Sequence, residues 1–216
     1  MNASDSQPYI IWDWNGTLLD DVEASVWALN RMLDARALPR TTREFYRAHF
    51  GFPVRPLYHL LGMDPDAEWD RICTEFHDLL AAGPQGIRPD TVAALELVRA
   101  HGIGQSILSA LRQDLLLRDT ARAGVQAFFD AIYGVDNLDG ATKLSRGHDL
   151  MAFLNAPSRR FYFIGDTLHD AEVGTALGAT PILVDGGHQH VDRLAAAGCL
   201  VVPSLTAAVE AVVARA

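Results

Sequence analysis

Six short apolar runs, each separated from the next by a helical pattern, restrict this chain more than any other feature. The runs are Tyr9–Trp14, Gln105–Ser109, Ala131–Gly134, Phe161–Gly165, Pro181–Asp185 and Leu200–Val202. Between Thr91 and Ala100 the apolar residues Val92, Leu95 and Val98 recur at helical spacing, and His101-Gly102 supplies a stop. The stretches 115–123, 144–154, 171–177 and 191–197 play the same part, and 206–216 reads as a terminal helix. Strands that alternate with helices are joined by crossovers, so the pattern predicts an α/β fold built on a parallel sheet.

The alternation breaks between about Asp21 and Gly86. Val22, Val26, Leu29 and Leu33 share one helix face, and Trp69, Ile72, Phe76 and Leu79 share another. Thr41-Thr42-Arg43-Glu44 matches a capping box, and Gly83-Pro84 ends the last helix. This stretch predicts an all-helical unit inserted just after the first strand. Met63, Trp69 and Phe76 are expected in its core.

At 216 residues the chain fits one domain, or one domain with an insertion. Eighteen basic against 27 acidic residues leave a net charge of −9, which disfavours nucleic acid and anionic membrane as partners. Any anionic substrate therefore needs local help from a cation. Cys73 and Cys199 form no metal-binding spacing and read as reduced packing residues, consistent with a cytoplasmic protein. No apolar run reaches the length of a membrane span. Met1–Pro8 reads as a loose polar tail.

In open α/β sheets ligands sit beyond the carboxyl ends of the strands. Four strand ends here carry side chains suited to one site. Asp13 ends the first and opens Asp13-Trp14-Asn15-Gly16-Thr17. Ser109 ends the second, Lys143 follows the third, and Asp166 and Asp170 follow the fourth. A carboxylate before a Gly-Thr turn suits a metal-bound phosphate. Thr17 is expected to fix that turn, and Asp185 to serve an ordinary turn before Gly186-Gly187. His169 reads as a residue near the entrance, and His188-Gln189-His190 as a surface loop.

These elements, in this order, resemble the haloacid dehalogenase superfamily of phosphohydrolases, and in particular its phosphoglycolate-phosphatase-like members with a small helical (C1-type) cap. The resemblance implies a Rossmann-like, three-layer α/β/α core from residues 1–20 and 86–216, with the cap at 21–85. It implies that Asp13 is the nucleophile and that Asp13, Asn15 (through its backbone carbonyl), Asp166 and Asp170 hold Mg²⁺, which prefers hard oxygen ligands. Lys143 then faces the phosphoryl group, while Ser109 and the Ala110 backbone N–H bind its oxygens. Arg55, beside Phe50-Gly51-Phe52 in the cap, is a candidate for contacting an anionic leaving group. Arg146 is the fallback for Lys143. The implied substrate is a small phosphorylated metabolite such as phosphoglycolate, handled by a monomer or homodimer.

One residue departs from the pattern. Most phosphatases of this family have aspartate at the position of Asn15, where it protonates the leaving oxygen and then deprotonates water. An amide has no proton to exchange at neutral pH, and acid–base help is typically worth about 10²–10⁴-fold. The catalytic set Asp13, Asn15 and Lys143 thus implies weakened or relocated acid–base chemistry, with His169 or a cap residue as a substitute. Alkoxide leaving groups should suffer most. The alternative is a phosphate-binding or regulatory protein with little turnover. Dehalogenation is disfavoured by the retained acidic motif, phosphonate hydrolysis by the absence of lysine between Asp21 and Gly86, and phosphomutase chemistry by Asn15.

Overall fold

The computed structural model describes residues 7–83, 85–137 and 142–215. Most of the expected tail, and Pro84, lie outside them. A six-stranded parallel sheet forms the centre, comprising β1 (Tyr9–Trp12), β4 (Gly104–Arg112), β5 (Ala131–Val135), β6 (Phe161–Gly165), β7 (Thr180–Val184) and β8 (Leu200–Val202) in the order β5-β4-β1-β6-β7-β8. β1 lies between β4 and β6, with Trp12 opposite Ile107 on one side and Ile164 on the other.

Period-two alternation then assigns the faces. Ile10 and Trp12 pack with α5 (Thr91–Ala100), α6 (Gln113–Arg122) and α10 (Leu205–Val213). Tyr9 and Ile11 pack with α7 (Leu144–Leu154) and α8 (Leu168–Ala176) on the opposite face. The result is the expected three-layer α/β/α core. Both faces are covered, which is why these strands read as continuous apolar runs.

The stretch after β1 holds four helices: α1 (Val22–Ala35), α2 (Arg43–His49), α3 (Arg55–Leu60) and α4 (Pro65–Ala82). They share a hydrophobic cluster of their own, including Leu29, Leu33, Met63, Trp69 and Ile72, with Phe76 packed against it. Two short strands went unrecognised in the sequence. β2 (Leu19–Asp20) and β3 (Gly86–Ile87) pair antiparallel where the helical insertion leaves the core and returns. Their two-residue lengths carry too little periodicity to detect.

Local signals were displaced by a residue or more. Thr42, not Thr41, caps α2 by accepting from the Phe45 N–H at 3.1 Å, so the expected capping box does not form on Thr41. Thr41 instead exchanges backbone hydrogen bonds with the Asn30 amide. α8 begins three residues earlier than predicted, with Thr167 as N-cap and Asp170 closing a capping box. The last predicted core helix shortens to α9 (Val191–Leu194) followed by a 3₁₀ turn at Ala195–Ala197. Among the described residues, no helix is long and apolar enough to cross a membrane.

Candidate active site

The carboxyl ends of β1, β4 and β6 converge on one cavity. The backbone N–H of Asp13 donates to the Ile164 carbonyl at 2.8 Å, extending the ladder by one residue and fixing the start of the turn. Asp13 is buried, and its carboxylate meets Asp166 and Asp170 in a cluster whose ligand atoms all lie within 4.8 Å of one another. The Lys143 ammonium, itself buried, donates to Asp13 Oδ1 and, at 2.6 Å, to Asp170 Oδ1. It also lies 4.9 Å from the centre of the Phe163 ring.

One lysine cannot balance three buried carboxylates. Burial pushes the Asp13 carboxyl well above the usual range against the opposing pull of Lys143, and Asp170 and Asp166 add to the rise. Burial raises Asp166 as well, against the charge of His188. Burial would also raise Asp170, but the Lys143 charge and hydrogen bond, with Thr167, hold it low. Burial opposes the charge on Lys143, yet Asp13 and Asp170 raise its pKa and keep it an ammonium. The cluster therefore carries surplus negative charge that a proton or a cation must offset. Its hard oxygen donors fit Mg²⁺.

Hydrogen bonds fix each oxygen. Asp170 Oδ2 accepts from the Thr167 hydroxyl at 2.6 Å and its N–H at 2.9 Å, so one carboxylate serves both the capping box and the cluster. Asp166 Oδ1 accepts from the Thr17 hydroxyl at 2.9 Å, and Oδ2 accepts from the His188 N–H at 2.6 Å. Thr17, expected only to shape the turn, thus bridges β1's turn to β6. Gly16 has φ of +75°, and a Cβ there would collide with the Asp166 carboxylate and the His188 ring. Only glycine allows the turn to approach both.

Asn15 does not stand alone. Its side-chain N–H donates to Asp21 Oδ2 at 2.7 Å, and the Gly16 N–H donates to Asp21 Oδ1 at 2.8 Å. His188 Nε2 lies 3.2 Å from Asp21 Oδ1, while Nδ1 lies 2.8 Å from the Tyr46 hydroxyl. Burial opposes the imidazolium, but Asp21, then Asp166 and Asp13, lift the His188 pKa to about 9. His188 is 5 % exposed, so the surface-loop expectation for His188-Gln189-His190 fails at its first residue. Gln189 is buried too, and its amide donates to the Phe50 carbonyl at 2.9 Å.

Ser109 and Ala110 sit where the register between β4 and β5 shifts, between Leu108 and Arg112. Such irregularities re-aim side chains at strand ends. Ser109 Oγ accepts from the Leu111 N–H at 3.1 Å and can still donate its own proton. The structure brings Asp13, Asn15, Ser109, Ala110, Lys143 and Asp170 to the cavity wall, with Asp166 joined through the carboxylate cluster. It does not bring Arg55, whose guanidinium lies 4.6 Å over the Trp69 ring and 3.9 Å from Asp66. Arg146 bonds the Gly134 carbonyl and Asp149. His169 stacks on Phe52 at 4.6 Å, and burial with the nearby Lys143 charge drops its pKa to about 4.

Asp21, His188 and Tyr46 are the residues that sequence reasoning missed. The available signal was Gly186-Gly187 shortly after β7, at the same carboxyl end of the sheet as Asp13. A Cβ on Gly187 would strike the Asp166 carboxylate, so this glycine permits the loop to dip into the site.

The model for the haloacid dehalogenase-like hydrolase family matches residues 10–184, and the chain belongs to that family. A relative from Dickeya dadantii, named "Probable phosphatase IndB", is 26% identical over 204 residues, covering 88% of this chain and 86% of its own. A solved structure from Lactobacillus delbrueckii subsp. bulgaricus, provisionally named a phosphoglycolate phosphatase, is similar at 18% identity with a TM-score of 0.79, covering 96% of this chain and 98% of its own. CbbY from Rhodobacter sphaeroides, solved with phosphate, is similar at 21% identity and a TM-score of 0.68, over 93% of this chain and 95% of its own.

Proposed function

We propose that this protein is a Mg²⁺-dependent phosphatase that cleaves a small phosphate monoester through an aspartyl-phosphate on Asp13. The observation that carries the reading is the buried cluster of Asp13, Asp166 and Asp170 with Lys143 bonded to two of its members. The name of the Dickeya relative and the phosphate held by CbbY agree with it.

In this reading Asp13, Asp166 and Asp170, with the Asn15 carbonyl, hold the ion. Bound there, Mg²⁺ would supply the positive charge that lets a phosphate ester approach a carboxylate. Lys143 stays an ammonium and steadies the charge on the phosphoryl oxygens. Ser109 and the Ala110 N–H orient those oxygens. Asp13 uses one carboxylate oxygen to attack phosphorus and the ester oxygen departs with its electron pair; water then attacks phosphorus and frees the carboxylate. Residues 21–85, with their own hydrophobic cluster, act as a cap that excludes bulk water. Residues 1–20 and 86–216 form the catalytic core.

Asn15 leaves the ester oxygen without the family's usual proton donor. Its amide is engaged by Asp21, which holds it in place as a hydrogen-bonding group rather than an acid. The same observation favours a second reading, a phosphate-binding regulator with little turnover. A screen of phosphate esters with Mg²⁺ or with chelator, for wild type and Asp13→Asn, separates the two. Mg²⁺-dependent phosphate release that Asp13→Asn abolishes supports the phosphatase. Binding without release by wild type contradicts it.

A further inference from the structure

The cavity above the carboxylate cluster is apolar. On the helical side its wall is built from Phe50, Phe52, Leu57, Tyr58, Trp69 and Phe76. Its volume of about 120 Å³ covers both the space over the carboxylate floor and the space along this wall. Charge is confined to the floor. Among the described lining residues, Lys143 is taken up by Asp13 and Asp170, and His188 by Asp21. His77 is held neutral by burial, with Arg112 adding to the effect. Arg55 points its guanidinium over Trp69 and is absent from the wall. Arg47, the buried arginine of α2, spends its donors on the carbonyls of Gly187 and Gln189 and on Asp185.

A leaving group with its own carboxylate, such as glycolate, would enter this wall without a counter-charge and beside Asp21. Burying an unpaired carboxylate is strongly unfavourable. An aromatic ring meets the opposite situation, since every wall residue named above offers carbon surface. The chemistry of Asn15 points the same way. A phenol ionises near pH 10, whereas water, which an alkanol resembles, ionises near 15.7. A phenolate therefore leaves without the proton that an amide at position 15 cannot supply.

We infer that the substrate of this site is a phosphate monoester of an uncharged aromatic alcohol, with the ring held by the cap residues Phe50, Phe52, Leu57, Tyr58, Trp69 and Phe76. This assignment rests on the reading of Asp13 as nucleophile. An Asp13 oxygen bonds to phosphorus as the phosphorus–oxygen bond to the ring breaks, and the aryloxide departs with the electron pair and takes a proton from solvent. Water then attacks phosphorus, losing a proton to solvent, and restores Asp13. The balance is ester plus water to phenol plus phosphate.

The test compares phenyl phosphate with phosphoglycolate in turnover, and benzylphosphonate with 3-phosphonopropanoate in calorimetric binding, all with Mg²⁺. The expected result is a kcat/KM at least about 100-fold higher for phenyl phosphate, with tighter binding of benzylphosphonate. Phe52→Arg, at a half-buried position, places a cation at the wall and should shift the turnover ratio at least about 10-fold toward phosphoglycolate. Val54→Arg serves if Phe52→Arg misfolds. Equal or better turnover of phosphoglycolate by wild type overturns the assignment while leaving the phosphatase intact. If neither ester turns over but benzylphosphonate binds more tightly, the hydrolytic reading falls and the aromatic site stands. No turnover and no binding preference overturns both.

Discussion

Asn15 is the residue that departs from the family's usual acid–base pattern, and its surroundings hold it as an amide. Its amide donates to Asp21, which also receives the Gly16 N–H and pairs with His188. Replacement by aspartate exchanges that hydrogen bond for two facing carboxylates. Asn15→Asp should therefore lower stability by about 1–3 kcal/mol in chemical denaturation, as a part-buried bond to the buried Asp21 carboxylate is lost. In the proposed reaction the same variant would restore an acid–base group, and it should raise kcat on alkyl phosphates by about 10²-fold, with less effect on aryl esters. An unchanged alkyl rate in a folded, Mg²⁺-binding variant would show that the proton role lies elsewhere. At this scale the sequence was legible where a residue's type and its place at a strand end agree. Asp13, Lys143, Asp166 and Asp170 announce themselves by type and order. His188 and Asp21 do not, because their partner in charge is 167 positions away and no local period links them.

Among the elements, α2 and the loop after β7 form the joint between the helical insertion and the core. Arg47 donates to the Gly187 carbonyl at 2.8 Å, the Gln189 carbonyl at 3.0 Å and Asp185 at 3.0 Å. Phe50, at the end of α2, receives the Gln189 amide and the Arg193 guanidinium on its carbonyl. Asp185, expected to serve an ordinary turn, thus anchors this joint. Arg47→Ala leaves two buried carbonyls without their donor, a cost of about 1–3 kcal/mol. We expect a lower Tm and a KM several-fold higher with kcat less affected, because the variant loosens the wall and spares the floor. Strands and long helices were readable from apolar period, as β6 and α7 demonstrate. The β2–β3 pair and the α2 cap were not, since tertiary partners and one-residue shifts decide them.

For the whole molecule, the buried charges set how stability varies with pH. Asp13 and Asp166 have raised carboxyl pKa values in the metal-free fold, and His188 is raised to about 9. A group whose folded pKa is raised favours the fold when protonated and withdraws that support as pH climbs through the folded value. Metal-free stability should therefore decline from mildly acidic pH through the alkaline side, with the His188 contribution fully present below about 6.5 and lost through about 9. Asp21 and Asp170, both lowered, act oppositely and lose their support only as pH falls below the ordinary carboxylate range. Mg²⁺ bound at the cluster would displace protons from it, so its affinity should rise with pH. At 100-fold excess over Kd, Mg²⁺ should raise Tm by about 5–10 °C at pH 8, and by less at pH 5.5. A Tm rise independent of pH, or one retained in Asp166→Asn, would contradict the cluster as the binding site.

The covalent role proposed for Asp13 has the most direct measurement. Wild-type protein is mixed with Mg²⁺ and phenyl phosphate, quenched in acid within the first turnover, and digested for mass spectrometry. The account predicts one phosphoryl group on the peptide that contains Asp13, formed only with Mg²⁺ and missing from Asp13→Asn, whose phosphate release falls by at least about 10³-fold. Phosphate release at the wild-type rate by folded Asp13→Asn, or a phosphoryl group on any other residue, would contradict it.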